Sequence, residues 1–228
     1  VKVALLVCDH VADEYVEEFG TYVDMFENLF PNFSLQPYFI IDYFFPVVDD
    51  YDVFICTGSK SSVYDRDPWI PHLLALIREI ESKNKKFIGV CFGHQAIAEA
   101  LGGKVEKAEV GYLIGVHQFQ VVEQKEWMTD VSSYQLLMLC QDQVKILPEN
   151  STILANSDYC PCAMYTVGNH ILGIQGHPEF TPEYNRVVFE NRLRKVSPEK
   201  VEKAIESLDT PHDGALIAEW FESFCIFT

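Results

Sequence analysis

The segment Phe87-Ile88-Gly89-Val90-Cys91-Phe92-Gly93-His94-Gln95 constrains the fold of this chain more than any other. An apolar run suited to a buried strand passes without a loop into a helix start, and glycine stands two residues to either side of the cysteine at the junction. In a turn that sharp, Cβ atoms at Gly89 and Gly93 would collide with neighbouring backbone. This is the strand–turn–helix of a nucleophile elbow, with sulfur in place of the usual serine oxygen. Cys91 is then expected at a helix N-terminus, where the dipole and free N–H groups favour thiolate over thiol. The N–H of Phe92 becomes an oxyanion donor.

The surrounding pattern says what kind of sheet holds such a strand. Residues 3–7 form a continuous apolar run, as expected of a strand covered on both faces. A helix is expected over 14–30, with Phe19, Tyr22, Val23, Phe26 and Phe30 at helical spacing and Pro31 ending it. Strands follow at 35–41 and 52–56. Asp67-Pro68 reads as N-cap plus Pro at the first helical position of a helix that buries Ile70, Leu73, Leu74, Ile77 and Ile80. After strand 87–90, a short helix at 96–101 closes on Gly102-Gly103. From about 104 to 175 the signals are strands: 113–122, 136–139, 144–147, 153–156, 163–167 and 171–174. They read as additions to the same sheet or as a small antiparallel layer against it. Helices return behind Thr181-Pro182 and Ser197-Pro198, and Leu216, Ile217, Trp220, Phe221 and Phe224 make a helical stripe that reads as core. The expectation is an α/β fold: an open, mainly parallel twisted sheet flanked by helices, with a small added antiparallel layer. With no linker, repeat or low-complexity tract, residues 1–228 read as a single domain.

A second chemical signal is Ile171-Leu172-Gly173-Ile174-Gln175-Gly176-His177-Pro178-Glu179. Pro178 pushes His177 into extended backbone, where residues two apart point the same way. Glu179 can then orient the His177 imidazole as the third member of a triad, and a neutral His177 could deprotonate Cys91 and later protonate a leaving amine. A third is Ile55-Cys56-Thr57-Gly58-Ser59-Lys60-Ser61-Ser62, whose small residues let backbone N–H groups approach a ligand and supply a second oxyanion donor. All three follow apolar strands, and open α/β sheets gather ligands at that edge. The reading is a cysteine nucleophile that cleaves a carbon–nitrogen amide bond.

Composition narrows the partners. Acidic residues outnumber basic ones 34 to 17, and the formal charge of −17 repels phosphate backbones and anionic lipid, so neither nucleic acid nor membrane is expected as a partner. No apolar run approaches the ~20 residues of a membrane span. The apolar start, soon followed by Asp9 and Asp13, reads as a first strand and not a signal peptide. The seven cysteines are odd in number and several lie in apolar runs, which suits reduced thiols in the cytoplasm. Cys160-Pro161-Cys162 lacks the spacing and second pair of a zinc site, so no metal and no cofactor are expected.

These motifs resemble those of the triad (class I) glutamine amidotransferase domains. The elbow G-V-C-F-G-H-Q-A-I-A, the downstream G-I-Q-G-H-P-E-F and the strand-end T-G-S-K-S-S look like that family's motifs, in the right order, over roughly residues 1–195. Within the family the chain looks closest to stand-alone proteins similar to the amidotransferase half of GMP synthase, a group that includes plant γ-glutamyl peptidases. The resemblance implies a flavodoxin-like sheet and attack by Cys91 on a γ-glutamyl amide to form a thioester. It makes His177 the acid and base, Glu179 its orienter, and Phe92 with Ser59 or Gly58 the oxyanion hole. It gives Gln95 a hold on the glutamyl moiety. One position departs: Leu139-Cys140-Gln141-Asp142-Gln143-Val144 matches a segment that usually carries His where Cys140 stands. The implied substrate is glutamine or a γ-glutamyl peptide. No P-loop or synthetase domain follows, so hydrolysis by the chain itself is favoured over delivery of ammonia to a separate synthetase chain. A DJ-1-like protein is a further reading, though there a histidine commonly follows the cysteine directly, where this chain has Phe92. A non-catalytic γ-glutamyl-binding protein is another, against which the intact triad argues.

Overall fold

The computed structural model describes residues 1–192 and 196–227. Its centre is a nine-stranded sheet. Strands β1 (Val3–Val7), β3 (Val53–Cys56), β4 (Lys86–Val90) and β11 (Ile171–Ile174) run parallel at its heart, almost wholly buried, with β2 (Leu35–Phe39) on the outer edge. Pro37 within β2 suits an edge strand, where a missing N–H breaks no ladder. Beyond β11 the sheet continues antiparallel through β10 (Cys160–Val167), β9 (Ser151–Ser157), β6 (Leu113–Val121) and β7 (Ser133–Cys140). A separate antiparallel pair is made by β5 (Lys104–Lys107) and β8 (Asp142–Ile146). Both expectations for the second half hold, since strands are added to the sheet and a small second layer also forms.

Alternation along β1 shows how the core divides. Val3, Leu5 and Val7 face one apolar cluster with Phe26 of α2 (Tyr22–Leu29) and Trp220, Phe221 and Phe224 of α7 (Gly214–Ile226). Ala4, Leu6 and Cys8 face the other, with Leu73, Ile77 and Ile80 of α3 (Trp69–Ser82) and Ile97 of α4 (Phe92–Ala100). Between α5 (Pro182–Arg192), α6 (Pro198–Ser207) and the β6–β7 ribbon lies a third cluster that includes Phe180, Tyr184 and Leu137. The sheet therefore has helices on both faces, and the carboxyl ends of β1, β3, β4 and β11 share one edge.

Several local expectations shift. The helix expected over 14–30 is two: α1 (Asp13–Phe19) ends at Gly20, whose φ of 76° stops it, and Thr21 begins α2 with a reciprocal capping box to Asp24. Asp67 gives no side-chain cap to α3; Pro68 is the capping residue, and Asp67 contributes its carbonyl to the Ile70 N–H. Helix α4 starts at Phe92 instead of Ala96, directly from the elbow. Thr181 and Ser197 do cap α5 and α6, accepting from the N–H groups of Tyr184 and Lys200.

Candidate active site

Cys91 occupies the turn between β4 and α4 with φ 51° and ψ −98°, a conformation that a non-glycine residue holds only when its surroundings enforce it. They do so from both sides. A Cβ on Gly89 would lie 2.4 Å from the Gly93 carbonyl, and one on Gly93 would lie 2.6 Å from the Cys56 carbonyl oxygen. The elbow closes because both positions are bare. It is pinned to β11 by the Cys91 N–H, which donates to the Ile174 carbonyl at 2.9 Å.

His177 follows β11, and its N–H donates to the Leu137 carbonyl at 2.8 Å, which ties it to β7. Its Nδ1 is 2.8 Å from Glu179 Oε1, the contact expected from residues two apart in extended backbone. Cys91, His177 and Glu179 are 5%, 3% and 6% exposed, so their interactions are little screened. Burial by itself would lower the His177 pKa; the Glu179 carboxylate and the adjacent Cys91 overcome it and raise it to about 10. Both groups favour the charged form of the ring. Among the described residues its Nε2 has no partner at full hydrogen-bonding geometry, and a proton there is available to a ligand.

Gly58 brings the third motif against this pair. A Cβ there would lie 3.0 Å from His177 Cε1 and 3.6 Å from Cys91 Cβ. Buried Thr57 fixes the loop: its hydroxyl accepts from the Cys8 N–H at 3.0 Å and donates to the Gly58 carbonyl at 3.0 Å. In a trans peptide the C=O and N–H point in opposite directions, so the Ser59 N–H is aimed away from Thr57. Among the described residues, no partner takes the N–H groups of Gly58, Ser59 or Phe92. Asp9, just past β1, accepts from the Lys60 N–H and pairs with its Nζ, both at 2.8 Å. Asp142 binds the hydroxyls of Ser62 and Tyr64.

A cavity of about 330 Å³ opens over these groups, lined among others by Gly58, Ser59, Cys91, Gln95, Cys140 and His177. Gln95 commits its amide nitrogen to the Asp142 carbonyl (2.9 Å) and Gln175 Oε1 (3.1 Å), which leaves its oxygen for any ligand contact. Cys140 lines the wall, its thiol held well above the ordinary range by burial and by nearby Cys91 and Cys160. Among the described residues, no cluster of His, Cys, Asp and Glu could hold a metal ion. Among the described residues, no helix is long and apolar enough to cross a membrane.

Three contributors escape a reading of motifs. Phe180 stacks flat on His177, with centroids 4.1 Å apart and planes 6° apart, and fixes the ring from below. Asp9 and Thr57 hold the loop beside Cys91. Asp9 carries a usable signal, a lone carboxylate directly after a buried strand; Phe180 is signalled only by being the next residue of H-P-E-F.

Comparisons with known proteins give the family and the fold. The family model for class-I glutamine amidotransferases matches residues 10–196. Gamma-glutamyl peptidase 3 of Arabidopsis thaliana is 30% identical, over 93% of this chain and 90% of its own length. The glutamine-hydrolyzing GMP synthase of Thermosipho melanesiensis is 31% identical over 68% of this chain but only 29% of its own length. A crystal structure of a glutamine amidotransferase from Thermotoga maritima shares the fold with a TM-score of 0.76 at 21% identity, over 99% of both chains. The chain belongs to the class-I glutamine amidotransferase family.

Proposed function

We propose that the protein hydrolyses a γ-glutamyl amide or peptide bond through a γ-glutamyl thioester on Cys91. The observation that carries this reading is a cysteine on a strained elbow beside a histidine whose far nitrogen is bound to a buried carboxylate. The Cys91 thiolate attacks the γ-carbonyl carbon, and the oxygen takes up negative charge toward the N–H groups of Phe92 and Ser59, with Gly58 beside them. Protonated His177 gives its Nε2 proton to the amide nitrogen, the C–N bond breaks and the amine leaves. Water then attacks the thioester, His177 takes a proton from it, the C–S bond breaks and glutamate departs. Glu179 orients the imidazole throughout. Gln95 helps hold the glutamyl moiety through its oxygen.

Hydrolysis by the chain itself is supported by the likeness to a γ-glutamyl peptidase along 90% of that relative's length. The second reading is a glutaminase subunit that passes ammonia to a separate synthetase, which the likeness to a portion of GMP synthase favours. Seven free cysteines suit a reducing, cytoplasmic setting. The test is glutamate release from a panel of γ-glutamyl amides, peptides and glutamine by the pure chain and by Cys91→Ala. The expected result is turnover of γ-glutamyl peptides by the wild type alone. Activity on glutamine that needs an added synthetase, with none on peptides, would replace hydrolysis by the subunit reading.

A further inference from the structure

The lining of the cavity over Cys91 falls into two chemical halves. Ser59, Ser61, Ser62, Gln141 and Asp142 supply a polar side, while Tyr15, Tyr22, Tyr112, Phe180 and Tyr184 supply an aromatic one. The aromatic side is continuous with the catalytic ring. Phe180 stacks on His177, Tyr184 meets Phe180 edge-on at 4.9 Å, and Tyr15 meets Tyr184 edge-on at 6.5 Å. Tyr22 stacks against Phe180 at 6.3 Å. Phe180 and Tyr184 are buried in the core, but Tyr15, Tyr22 and Tyr112 are only half-buried and line the cavity. All five rings pack in or against one apolar cluster, and all five also line the cavity.

Chemistry assigns the halves. A γ-glutamyl group carries an ammonium and a carboxylate, which need hydrogen-bonding partners and belong with the polar side. The leaving nitrogen receives its proton from His177, so its substituent starts beside that ring, whose face is covered by Phe180 and extended by Tyr184 and Tyr15. Such a surface offers ring faces and edges, which favour an aromatic guest in stacked or edge-on contact. Resting on the hydrolase reading above, we propose that this half is a leaving-group subsite selective for γ-glutamyl compounds whose amine portion bears an aromatic ring.

The test is a matched pair, γ-glutamylphenylalanine against γ-glutamylalanine, which differ by one phenyl ring and leave with similar amines. The expected result is a kcat/KM for the phenylalanine compound about tenfold higher or more. Tyr15→Ala and Tyr112→Ala should each pull that ratio toward one. Tyr15 is half-buried and packs against Phe19 and Tyr184, so Tyr15→Phe, which keeps the ring and should keep the ratio, separates loss of the guest's contact from loss of the hydroxyl. A calorimetric titration of Cys91→Ala with both dipeptides reads the subsite without turnover and should show the same preference. Equal kcat/KM for the pair, or a ratio that neither tyrosine variant moves, overturns the subsite while leaving hydrolysis intact. No turnover of either dipeptide, with the binding preference kept, supports the subsite and removes the hydrolase reading instead.

Discussion

In the proposed mechanism the proton passes through His177, whose surroundings set the pH range. Burial would strip the ring of its proton, but the Glu179 carboxylate and Cys91 outweigh it and raise the pKa from 6.5 to about 10. A pKa raised on folding stabilises the folded state fully below 6.5, and that contribution is lost as pH climbs through about 10. In the proposed mechanism the same protonated ring serves acylation. Activity on a γ-glutamyl amide should therefore hold through neutral pH and fall on an alkaline limb near pH 10. Glu179→Gln removes a cause of the raised pKa and leaves burial in place, so the limb should move to lower pH. Turnover at neutral pH should fall by roughly 10²–10⁴, less than the loss from Cys91→Ala. A pH–rate profile of the two proteins checks this, and an alkaline limb unmoved by Glu179→Gln would mean that Glu179 does not hold the proton on His177.

At the scale of elements, the elbow and the loop after β3 are built by opposite means, one by leaving space and the other by filling it with a hydroxyl. Gly89→Ala would put a methyl 2.4 Å from backbone that cannot yield without undoing the turn. We expect a loss of about 3 kcal/mol or more by chemical denaturation, with activity lost alongside. Thr57→Val leaves the Cys8 N–H and the Gly58 carbonyl without their buried partner, which should cost about 2 kcal/mol. It also frees the peptide that aims the Ser59 N–H, so kcat should fall by roughly 10²-fold with KM little changed, while Thr57→Ser restores both. A Thr57→Val protein with wild-type kcat would remove that N–H from the mechanism. The elbow and the central strands were legible because unbroken apolar runs and close-set glycines have few other uses. The break at Gly20 was not, since the apolar spacing carries on through it and the stop depends on one φ. Strand β5 was missed as well, because Lys104–Lys107 buries Val105 alone and is held by its pairing with β8. Thr57 reads as one more small residue until its two partners are brought to it by β1 and by the loop itself.

Across the whole molecule, the sheet runs unbroken from β2 to β7, and α2 and α7, far apart in sequence, share one apolar cluster. We propose that the chain is one cooperative domain, for which calorimetry should show a single transition with matching calorimetric and van't Hoff enthalpies. Two separable transitions would divide it. The antiparallel half has a part in the site, since β7 anchors His177 through Leu137 and brings Cys140 and Gln141 to the cavity. We propose that this assembly makes Cys91 the point of covalent attachment. It is tested most directly by acid-quenching the enzyme during turnover of a γ-glutamyl peptide and mapping the adduct by mass spectrometry. A γ-glutamyl group should appear on the Cys91 peptide and be absent from Cys91→Ala; an adduct on another cysteine, or glutamate released by Cys91→Ala at the wild-type rate, would overturn the assignment of Cys91.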